Sequence, residues 1–386
     1  MTDRHLSVGP GDLSRRTLLK RAGIGAGALV AGSTLLTACG DDDTSTTTST
    51  AAGGAGESPE LKALLDKVTS KRVVWGNYGG TTEDARKQAF WDPFTERTGA
   101  RIVPVDIPGN MGNDMLAGRV PAKWDAFHGS PPEALTALND GKKPLPKIPE
   151  IAYADELDPE FQPYNFQSFY VAYVPATLPG TFSGEQPKTW ADFFDTKKFP
   201  GKRSWPGKAY TPGTREAALL ADGVNPDELY PLDIERAHAK IKSIMDDLLI
   251  YDQFPQAQSF LTSKSVSISY GPNGMWKGLE NKNVDVEILW DMVPILQPNS
   301  GLVMPDAPDM DAIMALAAFC AQPENQAEFC RLTNYGPTSK AVFDVLSKED
   351  AAKLPNAPGR TVAKPDIKWL ADNEAALLDD NKKLFS

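Results

Sequence analysis

The chain has 386 residues with 40 Lys and Arg against 51 Asp and Glu, a formal net charge of −11. Nucleic acid is recognised through basic patches, so an acidic balance of this size argues against it as a partner. The length exceeds one ordinary hydrophobic core and points to two domains or lobes.

At the N-terminus, residues 14–20 read SRRTLLK, with Arg15 and Arg16 adjacent, and an uncharged Gly/Ala-rich run leads to Leu36-Thr37-Ala38-Cys39. A basic start, an apolar core and small residues before a cut make residues 1–38 an export signal. The arginine pair resembles the twin-arginine address. Leu-Thr-Ala-Cys resembles a lipobox, in which Cys39 is lipidated and becomes the new N-terminus. At about 17 residues, and poor in Leu, Ile and Phe, the run is short for a spanning helix. These features predict a protein outside the cytoplasm, tied by lipid to the outer face of the cytoplasmic membrane, or periplasmic. Cleavage leaves 348 residues with 35 Lys and Arg against 49 Asp and Glu, a net charge of −14. Residues 39–57 are low-complexity, with almost no large apolar side chains, and read as a flexible tether.

Order is predicted from Ser58-Pro59, a helix cap followed by Pro at the first helical position, with Leu61, Leu64, Leu65 and Val68 on one face. Strands are predicted at 72–78 (RVVWGNY), 101–107 (RIVPVDI), 124–128 (WDAFH) and 166–174 (FQSFYVAYV), the last able to cross between lobes. Asp233 caps an amphipathic helix carrying Ile234, Ala237, His238, Ile241, Ile244, Met245 and Leu248 on one side. Further strands are predicted at 265–270, 284–290 and 301–305, and helices at about 309–321, 323–332, 339–346 and 366–379. Alternation of strand and helix implies α/β layers with mainly parallel strands.

Catalytic signatures are missing: there is no Gly-x-Ser-x-Gly elbow, no His-Glu-x-x-His and no P-loop. The GIGAGA run lies in the cleaved signal, with no strand before it. Cleavage leaves His128 and His238, far apart in sequence; His238 falls on an apolar helix face and reads as a packed residue, while His128 ends a strand beside a Gly-Ser turn where a pocket role is open. No zinc spacing exists, so no metal or cofactor is expected. Cys320 and Cys330 would face an oxidising compartment; a disulfide between them and two small buried thiols are both consistent with the sequence.

Four stretches resemble the spermidine/putrescine-binding family of solute-binding proteins that serve ABC importers. They are VVWGNYGGTTEDARKQAFWDPFTERTGARI at 73–102, PKTWADFFDTKKFPGKRSWP at 187–206, EAALLADGVNPDELYPLDIERAHAKI at 216–241, and the run from Tyr335-Gly336-Pro337-Thr338. The likeness spans nearly all of residues 70–360 in order. It implies a type II, Venus-flytrap periplasmic-binding-protein fold: two α/β lobes joined by crossing strands, with ligand in the cleft between them. The lobes are expected at 58–164 plus about 300–334, and at 165–299 plus about 335–386.

Ligands of open α/β sheets bind beyond the carboxyl ends of strands, beside helix N-termini. That rule and the resemblance select five loops. Tyr78 and Gly79 supply an aromatic wall and close backbone approach; His128 and Ser130 supply polar contacts. Trp205 and Tyr210 face the cleft or pack internally. Asp252 receives a cation or is a solvated loop acid, and Tyr270 follows its strand where the family carries a tryptophan. Tyr335 lies near the hinge. Aromatic faces and carboxylates suit an amine, so a polyamine or related organic cation is the leading ligand. The family's Trp-x-Asp before the return strand is absent, however, with Pro298 and Ser300 aligned there. A neutral, zwitterionic or anionic solute, the last using Arg215 and helix N-termini, is the alternative. The resulting expectation is a monomeric, non-enzymatic receptor that delivers a small solute to an ABC permease; an exported hydrolase on the same layers is the rival.

Overall fold

A computed structural model describes residues 57–385, apart from 80, 110 and 209–211. The export signal, Cys39, Tyr210 and the tether as far as residue 56 lie outside the described residues. The first helix, Pro59–Leu65, starts as its sequence demands: the Ser58 side chain accepts a hydrogen bond from the Leu61 N–H at 3.1 Å.

Among the described residues ten strands follow: β1 (Arg72–Asn77), β2 (Arg101–Asp106), β3 (Ala126–Gly129), β4 (Asn165–Thr177), β5 (Arg203–Pro206), β6 (Leu248–Tyr251), β7 (Ile268–Pro272), β8 (Glu287–Ile288), β9 (Ile295–Val303) and β10 (Gly336–Pro337). They form one curled sheet in the order β2-β1-β3-β9-β4-β7-β5-β6, with β8 and β10 pairing on β4. Parallel pairs lie towards the two ends, β1 with β2 and β3, and β5 with β6 and β7. The middle is antiparallel, β3 to β9, β9 to β4 and β4 to β7, so the sheet is mixed rather than mainly parallel.

Two apolar cores flank that middle. Trp75, Phe90, Phe94, Phe127, Leu316 and Phe329 belong to one, and Trp190, Phe193, Trp205, Ile241, Ile268 and Tyr270 to the other. The 13-residue β4 contributes Phe166 and Phe169 to the first core and Tyr173 to the second. With its partner β9 it is the ribbon that joins the lobes. A register shift between Phe166 and Phe169 bends it, and Gln167 takes a left-handed φ of 49° there.

The Asp233-capped helix is shorter than its pattern predicted, spanning Ile234–Lys242, and Leu248 opens β6 instead of extending the helical face. The C-terminal helix is longer, Ile367–Leu384. Cys320 and Cys330 are free, buried thiols, the second of the two readings the sequence left open and not the disulfide. They end or interrupt two successive helices, Met310–Cys320 and Pro323–Thr333, and sink into different apolar clusters, Cys330 among Ala327, Val342 and Leu354. Burial pushes both thiols well above the usual range.

Candidate functional site

A cavity of about 420 Å³ opens between the two cores. The β4–β9 ribbon is its floor. Because side chains alternate along a strand, Phe169, Val171 and Tyr173 of β4 and Gln297 and Asn299 of β9 face it. Pro298 and Tyr170 line a cavity on the opposite face, and Ser300 is buried, donating to Asn165 Oδ1 at 2.6 Å. The pair that replaces the family's recognition residues is therefore one position out of register with the cleft. The cleft-facing residues are its neighbours, Gln297 and Asn299.

From the first lobe, strand ends deliver the predicted residues. Tyr78 follows β1, is 65 % exposed and lines the cavity. Gly79 beside it has φ +73°, a conformation costly for any residue with a Cβ. His128 ends β3, and Ser130 precedes the helix Pro131–Asp140; both line the cavity. An aromatic row runs inward: Tyr78 to His128 at 5.6 Å, His128 to Phe169 at 5.9 Å, and Phe169 stacked on Tyr335 at 5.1 Å. The His128 tautomer is set by its neighbours. Arg86 donates from Nη1 to Nδ1 (3.1 Å), which leaves Nε2–H to donate to Asn299 Oδ1 (3.3 Å). Burial and the Arg86 charge hold His128 well below its ordinary pKa, so it is a neutral polar contact. Arg86 is itself fixed by Asn77 Oδ1 and Gln167 Oε1 at 2.9 and 2.8 Å.

Glu133, in the first turn of the Pro131–Asp140 helix, also lines the cavity and accepts from the Ser130 hydroxyl at 3.0 Å. Burial raises its pKa to about 7 despite that bond.

The second lobe presents the helix Thr214–Ala221. Gly213, at φ +75°, precedes it, and a Cβ there would fall 2.5 Å from the Tyr270 hydroxyl. That hydroxyl donates to Gly213 O at 2.7 Å. Tyr270 and Trp205 are both fully buried with ring centroids 5.0 Å apart, so they lie behind this turn instead of walling the cavity; this corrects the expectation for Tyr270, while Trp205 takes the internal packing that was its alternative. Asp252 is exposed and lies off the cavity, the solvated loop acid of the two readings and not a cation ligand; its neighbour Phe254 reaches the wall instead. Arg215 and Glu216 line the cavity and are 1 % and 3 % exposed. Arg215 Nη2 donates to Leu377 O at 2.9 Å and pairs with Asp380 at 3.2 Å, while Nε and Nη1 have no protein partner. Glu216 takes the Tyr230 hydroxyl on Oε1 at 2.7 Å and leaves Oε2 unpaired; burial raises its pKa. The C-terminal helix forms a third wall through Leu370, Glu374 and Leu377.

Two lobes on a bent two-strand ribbon, with an open cavity walled from both sides, define a cleft-type α/β receptor. The matching family model, "Bacterial extracellular solute-binding protein", covers residues 89–359, and the chain belongs to that family. A gamma-aminobutyric acid (GABA)-binding protein of Pseudomonas aeruginosa is 28% identical over 309 residues, 77% of this chain and 85% of the relative. Among solved structures, the Atu4243 GABA receptor matches at TM-score 0.71 and 29% identity, covering 82% of this chain and 98% of its own. An ABC transporter substrate-binding protein from Bradyrhizobium japonicum USDA 110 matches at TM-score 0.74 and 25% identity, covering 82% and 100%. The protein is thus a solute-binding receptor of the ABC-transporter type, and the relatives named are binding proteins rather than enzymes. The spermidine/putrescine subfamily of the sequence resemblance is not the group these matches favour.

Proposed function

We propose that the protein captures a small solute with a free carboxylate, most readily a zwitterionic ω-amino acid such as GABA, and hands it to a membrane permease. The observation that carries this reading is Arg215. It is the single Lys or Arg among the described residues that line the cavity, and two of its donor groups face no protein acceptor. A buried donor without a partner carries a desolvation penalty that a ligand oxygen would relieve. The aromatic row beside Tyr78 suits the methylene chain and an ammonium end. Support also comes from the names of the two GABA-binding relatives. A polyamine would place a second cation against Arg215 and has lost the carboxylate expected at Asp252.

Contacts to both lobes would favour the closed arrangement, and the permease would read that arrangement. The lobes proposed to move are 58–164 with about 300–334, and 165–299 with about 335–386, in a monomer. Export by the twin-arginine route and lipidation at Cys39 would hold the receptor at the membrane, since acyl burial contributes about 0.8 kcal/mol per methylene. Cys39→Ala should then release the protein from the detergent phase, and equal partitioning of the two forms would remove the anchor from this reading.

Calorimetry with GABA, other amino acids, small carboxylates and putrescine tests the ligand class. GABA or another carboxylate should give saturable heat, and Arg215→Met should weaken it by about 2 kcal/mol, roughly 30-fold. Binding of putrescine with no response to any acid would reverse the assignment.

A further inference from the structure

The C-terminal helix lies beyond residue 359, where the family match ends, yet it completes the cleft. Leu370, Glu374 and Leu377 recur at helical spacing and turn one face to the cavity. The helix is fastened to both lobes. Lys368 pairs with Glu160 at 2.5 Å, and Asn381 Nδ2 donates to Gly207 O at 3.0 Å. From the same helix, Asp380 Oδ2 reaches Arg215 Nη2 at 3.2 Å and His238 Nε2 at 3.0 Å.

We infer that Asp380 is a specificity-determining residue: by neutralising Arg215 from outside the cavity, it makes the cleft accept zwitterions and reject plain carboxylates. This rests on Arg215 being the anchor of the solute's carboxylate. The other charged-type side chains on the cavity wall are Glu133, Glu216 and Glu374, all acids. With Arg215 already balanced by Asp380, a monoanion adds a negative charge that no other side chain of the acid-lined wall compensates. Like charges at such close quarters are strongly unfavourable. A zwitterion adds no net charge, and its ammonium group meets the acids. Arg215 Nε and Nη1 have no protein partner, so Asp380, which pairs with Nη2, leaves those two donors uncommitted.

The test compares GABA, butyrate and 4-aminobutanamide by calorimetry on wild type, Asp380→Asn and Asp380→Glu. Wild type should prefer GABA over butyrate strongly. In Asp380→Asn, butyrate should gain about tenfold while the amide, a monocation, weakens and zwitterionic GABA changes little, so the GABA-to-butyrate ratio collapses. Asp380→Glu, which restores the charge, should restore the ratio. A structural loss would weaken all three probes together and would overturn the inference, as would a butyrate affinity unchanged in Asp380→Asn. If wild type binds the amide as well as it binds GABA, the carboxylate anchor itself is wrong, a failure separate from that of Asp380.

Discussion

Burial decides the ionisation of the cleft residues more than their neighbours do, and Glu133 makes this measurable. Its folded pKa, about 7, stands above the ordinary value of 4.5. The folded protein therefore binds this proton more tightly than the unfolded chain does. Stability attached to Glu133 is fully present below about pH 4.5 and is lost as pH rises through about 7. Chemical-denaturation midpoints should fall over that window in wild type, and Glu133→Gln should flatten that part of the slope. An unaltered slope would place the titration elsewhere. Tyr78 behaves differently: 65 % exposed without ligand, it contributes little to the fold. Tyr78→Ala should cost about 1–3 kcal/mol in ligand binding while shifting the denaturation midpoint less than truncation of buried Phe169 does. Tyr78, His128, Ser130 and Tyr335 could be named from sequence because each sits at a strand end or beside Gly. Phe169, Gln297 and Asn299 could not, since facing a cleft from the middle of a strand leaves no local signature. Arg215 was visible as a candidate anion ligand; its unpaired donors became evident with the packing around it.

Among the elements, the short helix Thr214–Ala221 matters most, because its first turn carries Arg215 and Glu216. Its start is fixed by Gly213 in the left-handed region, under the Tyr270 hydroxyl. Gly213→Ala adds a Cβ where φ is +75° and where that hydroxyl is 2.5 Å away. The turn must shift, and Arg215 shifts with it. We expect a destabilisation of about 1–2 kcal/mol or more together with weakened solute binding, read by melting and calorimetry on the same sample. A stable, fully binding Gly213→Ala protein would show that Tyr270 does not position this turn. Sequence periodicity located β1, β2 and the body of β4 well, because each is a continuous apolar run. It missed β5, whose four residues include Arg203, and it merged β6 into the preceding helix because LLIY continues the apolar face. The expected strand at 284–290 shrinks to Glu287–Ile288, paired at the sheet's margin with β4. The fold class was legible because strand–helix alternation survives such slips. The antiparallel ribbon was less so, since strand pairing is set by contacts far apart in the chain.

For the whole molecule, charge and specificity pull in opposite directions. A net charge of −11 surrounds a cavity whose one cation, among the described residues, is Arg215. The long-range field gathers cations at the surface, so weak heats from a polyamine are expected even if the cleft never holds one. Salt separates the two. The screening length is about 10 Å at 0.1 M and about 3 Å at 1 M, which removes attraction to exposed acids such as Asp252 and spares contacts made inside the protein. GABA should therefore keep its affinity within about threefold between 0.1 and 1 M NaCl, because a zwitterion carries no net charge for the field to act on and Arg215 is 1 % exposed. Putrescine heat should vanish over the same range. Thermal stability gives an independent reading, since ligand at 100 times its dissociation constant stabilises the folded state by about 2.7 kcal/mol. GABA should raise the melting temperature at both salt concentrations, and putrescine at neither. A putrescine-induced rise that persists at 1 M salt would mean that a diamine occupies the buried cleft, and the carboxylate reading would fall.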